Sequence, residues 1–536
     1  MKRLALIGIF LLSTITSCTA ISYTQRETKA ITLSQFGLNE AATGEQVYWV
    51  LYNAHTAAVA KRKWVDYSGV DTLMIDIPRN AKSIQLTSNN DFKGAVFVVT
   101  NKSKDIFLFE YENKSQPISI SKADIDSGNF VGYKELRNGK HVLFVKDMSP
   151  WVENREGYKY GHIRKDILKV VNGKALNKVI MPYNNNSSSP ECEYSSIADE
   201  GPIIRNLTIK RTMSCINKTF LCKVSGTDGV TIENVSIYTP ENNWENDQII
   251  TINNSTNVSF KNLRIEGTYS RLDHSGYGVA LNNIWNFTAD KMYGHGNWGI
   301  FGTNNISGVT ITNSDINRFD VHCYGREMRF KSVIFRNKYN QFSAVYGSIN
   351  FDNCTFINCV PLVNGPSYNA YVGYDVSFND CEYSTTHDTP ILVDEGYLDE
   401  QINIRQELSE RCLPNVRIKN LIMHIPKKAP NVYLFFFRER GDFKKKIGHI
   451  SELHIENVKF KYEDDKHLAN FVISNFPLNS TNSLNEVLLG VDVIGNSTLK
   501  SKEKGLIINN FEIDPTKSSS LKLIDVRAAS VVKKKL

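Results

Sequence analysis

A short stretch from Arg318 to Tyr324 holds the residue types that are best suited to chemistry. Polar and apolar residues alternate in it, in the order R-F-D-V-H-C-Y. Because successive side chains of a β-strand point to opposite faces, a strand here presents Arg318, Asp320, His322 and Tyr324 together on one face. An imidazole there could act as a base, a carboxyl group as an acid, and a guanidinium as a charge-neutralising group. We expect the working site here, although the same groups also fit structural hydrogen bonding at a tight corner.

Neighbouring stretches offer similar residues at equivalent places after their own repeats. The further candidates are Asp273, His274, His295, Asn297, Trp298, Lys338 and Tyr339. If the repeats stack in register, these residues line one groove. Asp273 and His295 are then further catalytic candidates, and the others, with Tyr324, are a substrate-binding set. Structural roles stay open, because Trp298 also fits a core position that caps a turn, and Asp273 with His274 also fits an exposed loop.

The elements that must position these residues are repeats. Their unit reads apolar, any, apolar, any, Asn or a small polar residue, apolar, any, apolar. Copies begin at Val230 (V-T-I-E-N-V-S-I), Val258 (V-S-F-K-N-L-R-I), Val309 (V-T-I-T-N-S-D-I) and Ile349 (I-N-F-D-N-C-T-F), and others occur between residues 203 and 460. Stacked copies would send a row of Val, Ile and Phe inward and bury a continuous core. The Asn suits a left-handed bend and could hydrogen-bond to its counterparts in adjacent copies.

These copies resemble the turns of a right-handed parallel β-helix, the pectate-lyase-like superfold. A β-propeller would have longer blades with a more regular period, and a leucine-rich repeat would have a helical half. We therefore expect an all-β solenoid over residues 202–462. A β-rich region at 31–181, with one helix at 45–62, precedes it and caps it, and residues 463–536 form either late turns or a C-terminal cap.

The first 18 residues are predicted to be a targeting segment. Lys2 and Arg3 precede an apolar run at 4–12 that is too short to span a bilayer as a helix. The following I-T-S-C, ending at Cys18, resembles a bacterial lipobox. This resemblance implies removal of residues 1–17, lipidation of Cys18, and anchoring at the outer membrane or cell surface of a Gram-negative bacterium. Ordinary secretion, with cleavage after Ala20, is the alternative.

The composition places limits on the partners of the chain. It is 41% hydrophobic and 22% charged, which is typical of a globular protein. Its net charge of +7 is modest for 536 residues, and the basic runs at 444–446 and 533–535 suit solvated surface, so we expect no nucleic-acid partner. Membrane contact is expected only through the lipid anchor. The sequence offers no metal motif, and we expect neither a metal nor a cofactor.

Eight cysteines remain once Cys18 is set aside. An even number in an exported chain permits disulfides. Cys354 and Cys381 occupy equivalent places in two repeats, F-D-N-C and F-N-D-C, and we favour core packing for that pair. We regard Cys215 with Cys222 as the best candidate for a bridge.

Two blocks, at 294–304 and 318–325, resemble a signature of exported bacterial β-helix proteins linked to polysaccharide use. This resemblance implies a polysaccharide or oligosaccharide target. The G-H-G at 294–296 also resembles a fragment of the polygalacturonase pattern, but the Asp-Asp pair and the Arg-x-Lys of that family are absent from the sequence. The Arg-x-Pro-x-x-Arg of pectate lyases is absent as well.

Two cleavage mechanisms fit this set of residues. A lyase would use His322 or His295 as the base, with Arg318 or Lys338 neutralising charge. A hydrolase needs two carboxyl groups, for which Asp320 and Asp273 are the candidates. We expect a surface-anchored carbohydrate-active enzyme, either a glycoside hydrolase or a polysaccharide lyase. The alternative is a non-catalytic glycan-binding or adhesin-like β-helix, while the export signal disfavours a purely structural or phage-tail-like one.

Overall fold

The computed structural model describes most of the chain between residues 30 and 534. The described segments are 30–101, 106–152, 162–179, 183, 190–198, 201–212, 220–239, 248–267, 277–295, 298–322, 325–342, 345–364, 374–398, 414–439, 448–449, 453–462, 469–474, 478–480, 489–493, 506–509, 511–513 and 531–534. The predicted lipobox at Cys18 lies outside them, as do Cys215, Asp273, His274, Asn297, Cys323 and Tyr324.

The architecture is the predicted right-handed parallel β-helix. Its strands follow one another in parallel pairs, and each turn contributes to three faces. In chain order the strands are Thr72–Ile77, Ile84–Gln85, Asn89–Asn101, Phe107–Glu112, Ile203–Arg211, Phe220–Ser225, Thr231–Thr239, Gln248–Gly267, Tyr277–Asp290, Tyr293–His295, Gly299–Thr312, Asp315–Ile316, Phe319–Val321, Gly325–Lys331, Ile334–Arg336, Gln341–Phe342, Val345–Asp352, Thr355–Ile357, Leu362–Asn364, Tyr374–Asn379, Glu382–Ser384, Ile391–Leu398, Asn415–Ile425, Asn431–Glu439, Leu453–Tyr462, Asn470–Ser474, Leu489–Val493, Leu506–Asn509 and Val531–Lys534.

The predicted repeat forms the first two faces of each turn. Val258 pairs with Phe287, Phe287 with Val309, and Val309 with Met328, so the inward residues of successive copies stack in register. Phe330 and Phe351 show the result, because their rings stack with centroids 5.1 Å apart inside the helix. Each such fully buried aromatic side chain contributes about 1.5–3 kcal/mol to folding. The core is therefore a continuous column.

Asparagines form the bends, as the sequence predicted. Asn206, Asn234 and Asn262 have φ angles of 59°, 52° and 50°, a left-handed conformation that costs Asn less than other non-glycine residues. Their side chains also form a ladder along the helix: Asn262 Nδ2 donates to Asn234 Oδ1 at 2.9 Å, and Asn234 Nδ2 donates to Asn206 Oδ1 at 3.2 Å. These bends thus fix both the corner and the register.

The β-helix starts upstream of residue 202, the predicted limit. Strand Asn89–Asn101 pairs in parallel with both Thr72–Ile77 and Ile203–Arg211, and Phe107–Glu112 pairs with Phe220–Ser225. The chain between 112 and 203 leaves the solenoid and returns to continue it. This excursion separates neighbouring turns in the sequence.

An α-helix, Gly44–Lys61, lies at the N-terminal end at the place where the sequence predicted one. Its buried face includes Tyr48 and His55, and His55 packs against the rings of Phe92 and Phe109 in the first turns. The helix thereby covers apolar residues of the first turns that the structure describes. A short parallel pair, Ile31–Thr32 with Val65–Asp66, and a 3₁₀ helix, Leu33–Phe36, complete this end. None of the described helices has the length and apolarity needed to span a membrane.

The excursion folds into an antiparallel sheet with its own small core. Its strands, in spatial order, are Lys174–Ala175, His162–Val171, Lys140–Val152, Glu191–Ile197 and Gln116–Ile118, and one helix, Lys122–Ser127, accompanies them. Val142, Ile167 and Ile197 pack with Trp285 of the β-helix, and Lys169 Nζ lies 2.7 Å from Asp228 Oδ2. These contacts join the sheet to the side of the solenoid.

The described strands after residue 463 continue the parallel pairing. Asn431–Glu439 pairs with Asn470–Ser474, which pairs with Leu506–Asn509, which pairs with Val531–Lys534. Of the two alternatives for 463–536, these strands favour late turns. Beside them, Gly448–His449, Leu478–Ser480 and Phe511–Ile513 form a separate parallel sheet.

The cysteine predictions have mixed outcomes. Cys354 and Cys381 are buried free thiols that stack on successive turns, as expected for core residues. The predicted pairing of Cys222 with Cys215 is wrong, because Cys222 is a free thiol. It pairs in register with the core residues Phe109 and Ile250 and therefore faces inward.

Candidate functional site

The strand Phe319–Val321 carries the predicted site residues on the third face of its turn. Phe319 and Val321 are fully buried in the core, so the neighbouring residues Arg318, Asp320 and His322 point outward, as alternation requires. The strand is held by Asn340 of the next turn, whose Oδ1 accepts the Phe319 N–H at 2.9 Å. The predicted alternation is correct, but Arg318 and Asp320 are only 1% and 0% exposed.

Asp320 forms the centre of a hydrogen-bonded group. Its Oδ2 accepts from Arg318 Nη2 at 2.5 Å and from the hydroxyl of Tyr277, and it lies 3.3 Å from His322 Nε2. The Tyr277 hydroxyl also lies 2.7 Å from the same His322 nitrogen. Asp320 and His322 are two residues apart, and their side chains converge beneath the Tyr277 hydroxyl.

Tyr277 is a member of the group that sequence reasoning missed. It starts the strand Tyr277–Asp290 and reaches residues that lie two turns further along the solenoid. Its ring passes over Gly302, where an added Cβ would overlap the ring atoms. A glycine inside a strand often marks such a close approach, and this was the available signal.

Arg318 is held between two aromatic rings. Its Cζ lies 4.5 Å from the centroid of Trp298 and 4.2 Å from that of Tyr339, which are cation–π distances. Trp298 and Tyr339 are both half-buried, so Trp298 lies between the core position and the exposed platform that the sequence allowed. Gly299 makes room for the arginine, because a Cβ there would lie 2.9 Å from Arg318 Cδ.

The charges of the group are strongly coupled. Burial acts to raise the pKa of Asp320, but the Arg318 charge and the hydrogen bonds from His322 and Tyr277 outweigh it and lower that pKa. Burial and the neighbouring Asp320 carboxylate raise the pKa of Tyr277. Burial and the Arg318 charge lower the pKa of Lys338, which therefore lies near the guanidinium. Asp320 is thus a carboxylate and Tyr277 a phenol at neutral pH.

Several buried polar atoms of this group have no hydrogen-bond partner among the described residues. They are Nε and Nη1 of Arg318, Nε1 of Trp298 and Oδ1 of Asp320. Buried polar atoms are nearly always hydrogen-bonded in native proteins, and leaving one unpaired costs about 1–3 kcal/mol. Three of the four atoms are donors. We name Tyr277, Trp298, Arg318, Asp320, His322, Lys338 and Tyr339 the Arg318 cluster.

His295 lies in a different group, on the second face of the helix. Its Nε2 lies 3.0 Å from Asp315 Oδ1, and Arg336 Nε donates to both carboxylate oxygens of Asp315 at 2.9 and 3.0 Å. The ring of Tyr293 lies against His295, with centroids 4.7 Å apart. The structure thus places His295 in a separate ion-paired group and not beside His322, and its catalytic role stays a prediction.

The remaining predicted residues divide into two sets. Tyr339 packs on Arg318 and the charge of Lys338 interacts with that of Arg318, so both were counted in the Arg318 cluster, and their role in substrate binding stays a prediction. Asp273, His274, Asn297 and Tyr324 lie outside the described residues. Of the proposed carboxyl pair, the structure therefore describes Asp320 and leaves Asp273 outside the described residues.

The described arrangement favours one chemical role above others. His322 is the titratable member of the Asp320 group that reaches the surface, with 23% of its side chain exposed. A buried carboxylate and a phenol orient its ring, which is how a general base is positioned. Asp320 is enclosed and paired with Arg318, so it is poorly placed to protonate a leaving group. Within the described residues, no three His, Cys, Asp or Glu side chains are arranged to hold a metal ion.

Comparisons with known proteins give the fold and no family. No family model matches the chain, and no curated protein matches its sequence. Among solved structures, it is similar to the Gp54 tailspike of Acinetobacter baumannii bacteriophage AP22, solved in complex with A. baumannii capsular saccharide, with a TM-score of 0.55, 9% identity, and coverage of 92% of this chain and 79% of that one.

Two further similar structures have lower scores. The tailspike gp49 from Pseudomonas phage LKA1 has a TM-score of 0.49 at 12% identity, over 89% of this chain and 84% of that one. PfbA, a surface adhesin of Streptococcus pneumoniae, has a TM-score of 0.40 at 10% identity, over 85% and 93%. At such identities the likeness to the AP22 tailspike shows a shared β-helix fold and nothing more.

Proposed function

We propose that this chain is an exported polysaccharide-binding β-helix, and that the Arg318 cluster contacts the glycan. The observation that carries the proposal is the pair of partly exposed rings, Trp298 and Tyr339, that flank a buried arginine beside the exposed edge of His322. Aromatic rings that are apolar on their faces and polar at one edge suit sugars, which have the same mixed character. The capsular saccharide bound to the AP22 tailspike supports a glycan as the partner of a related fold.

Location follows from the same proposal. A glycan-binding protein with the predicted lipobox at Cys18 would be held at a bacterial surface, where polysaccharide is available. Labelling of the expressed protein with a radioactive fatty acid, compared with Cys18→Ser, tests this part alone. Label in the unchanged protein and none in the variant is expected, whereas equal label in both would contradict the anchor.

A glycan panel tests binding. The purified protein is passed over immobilised neutral and acidic polysaccharides, and Trp298→Ala and Tyr339→Ala are compared with it. Losing an aromatic ring should weaken binding by about 0.5–2 kcal/mol, or roughly 2- to 30-fold. Tyr433→Ala is the matched control, because this partly buried tyrosine lies on a distant turn. Unchanged affinity in both cluster variants would contradict the proposed site.

Cleavage is the second candidate function, and the exposure of His322 favours it. In an elimination, His322 takes the proton beside a uronate carboxylate, the C4–O bond breaks, a C4=C5 double bond forms, and the departing oxygen takes a proton from solvent. One base and one neutralising cation suffice for this reaction. Hydrolysis needs two carboxyl groups, whereas the Arg318 cluster as defined above holds one, Asp320, which is paired with Arg318.

Absorbance near 232 nm, read together with reducing ends, tests cleavage. Both signals rising in the unchanged protein and absent in His322→Ala would support elimination. Reducing ends alone would indicate hydrolysis. Binding without product on every polymer would establish the adhesin-like alternative.

A further inference from the structure

The buried atoms of the Arg318 cluster leave an imbalance of hydrogen-bond donors. Within the part of the chain that the structure describes, Arg318 Nε, Arg318 Nη1 and Trp298 Nε1 are donors without a hydrogen-bond partner, and Asp320 Oδ1 is an acceptor without one. Native interiors leave such atoms unpaired only rarely, and a bound water, ion or ligand is the usual reason. Because three of the four atoms donate, a ligand that pairs with them must act chiefly as an acceptor.

The charges of the Arg318 cluster also favour an acceptor, and specifically an anion. Asp320 and Arg318 neutralise each other through their 2.5 Å ion pair. Lys338, which is partly buried near Arg318, makes no ion pair with any residue in the described part of the chain. One positive charge therefore remains beside the unpaired donors, before any contribution from His322. A partly desolvated positive site attracts an anion more strongly than an exposed lysine does.

From these observations we propose that the Arg318 cluster is an anion subsite, and that the glycan it recognises carries an anionic sugar. The inference rests on the proposed glycan-binding function and names its substrate class. A carboxylate or a sulfate ester on the sugar accepts hydrogen bonds from Arg318 and Trp298, and its charge is balanced by Lys338. Planar guanidinium groups bind such oxyanions through charge-assisted hydrogen bonds, which are stronger than neutral ones. Neutral sugars leave the donors unpaired.

Matched polymers test the proposal. Affinities are measured by calorimetry for polygalacturonate, alginate and hyaluronan, each beside its carboxyl-reduced derivative, and for dextran sulfate beside dextran. The reduced polymers keep the backbone and linkage and carry an uncharged hydroxymethyl group in place of each carboxylate. At least one anionic polymer should bind roughly 10- to 100-fold more tightly than its neutral counterpart, the range for one charge-assisted hydrogen bond. Preference for the carboxylated or the sulfated arm identifies the anion.

Single substitutions test whether Lys338 is responsible for the preference for anionic over neutral polymers. Lys338→Gln should fold, because its side chain is partly exposed, and it should reduce the preference for the anionic polymer at least about threefold. Lys331→Gln, on an exposed position of strand Gly325–Lys331, should leave the preference unchanged. Equal affinity of the unchanged protein for anionic and neutral partners overturns the proposal while leaving glycan binding intact. Absence of binding to every polymer counts against the proposed function itself, and so against the subsite.

Discussion

Asp320 provides the sharpest test of how the site is held together. Asp320→Asn keeps the size of the side chain and removes its charge, which leaves the buried guanidinium of Arg318 without its partner. Breaking a buried ion pair by removing one member costs about 3–5 kcal/mol, because the remaining charge stays desolvated and uncompensated. We expect the free energy of unfolding in urea, followed by circular dichroism, to fall by that amount.

A similar pair on the surface serves as the control. Arg329 Nη2 lies 3.0 Å from Asp352 Oδ2, but 58% and 24% of these two side chains are exposed. Asp352→Asn should therefore cost only about 0–1 kcal/mol. Removing both buried charges, in Arg318→Met with Asp320→Asn, should restore at least about 1 kcal/mol relative to Asp320→Asn alone. Equal costs for Asp320→Asn and Asp352→Asn would refute the reasoning.

The stability difference between the unchanged protein and Asp320→Asn should depend on pH. The folded pKa of Asp320 lies below its unfolded value of about 3.9, because Arg318, His322 and Tyr277 together outweigh the effect of burial. A lowered folded pKa stabilises the protein above the unfolded pKa, and this stabilisation is lost as the pH falls through the folded pKa. The difference in unfolding free energy between the unchanged protein and Asp320→Asn should be full at pH 7 and smaller at pH 3. A difference that stays constant between these two pH values would show that the charge is not its source.

Three further predictions concern the scaffold. Gly302→Ala should destabilise the fold by about 1–3 kcal/mol in urea unfolding, because the added Cβ would overlap the Tyr277 ring. Gly132→Ala is the control and should not destabilise the fold, because a Cβ at Gly132 meets no atom within 4 Å. Asn262→Ala should be less stable than Asn262→Gly by about 1–2 kcal/mol, since both lose the ladder but only alanine is strained at φ 50°; equal stabilities would refute this. Burial raises the pKa of the thiols, so iodoacetamide at pH 8 should label them, as read by mass spectrometry, only after unfolding, and rapid labelling of the folded protein would contradict their placement. These thiols are Cys192, Cys222 and Cys381.

The sequence was informative about the solenoid because its determinants are local. Alternation alone places Val309 and Ile311 inward and Arg318 and Asp320 outward, and the bends at Asn262 and its counterparts need only the conformational tolerance of asparagine. The alternation within each repeat determines which of its side chains face inward, so the core residues could be assigned separately for each copy. The start of the helix could not, because residues 112–203 intervene between stacked turns and no local pattern records which turns are neighbours.

The composition of the site was harder to predict, because it depends on the third face and on distances between turns. His295 and His322 follow neighbouring copies of the repeat, yet they lie on different faces, since the bend at Asn317 separates them. The burial of Asp320 was equally invisible, because it arises from Tyr277, 43 residues earlier in the chain. Alternation gives the direction of a side chain and does not say what covers it.

The glycines of the intervening turn explain how such distant residues meet. Strand Gly299–Thr312 lies between the turn that carries Tyr277 and the turn that carries Asp320. Any side chain at position 302 would separate the phenol from the carboxylate, and any side chain at 299 would displace Arg318. The two glycines of the motif G-I-F-G at 299–302 therefore leave space on the outer surface of the β-helix. The side chains of Arg318 and Tyr277, from neighbouring turns, occupy that space. Glycines at outward positions of one repeat, with aromatic and charged residues in the adjacent repeats, indicate a site built across turns. Gly302→Ala should lower glycan affinity while His295→Ala should not, which would place the functional site on the third face. The reverse result would place it on the second face, with His295.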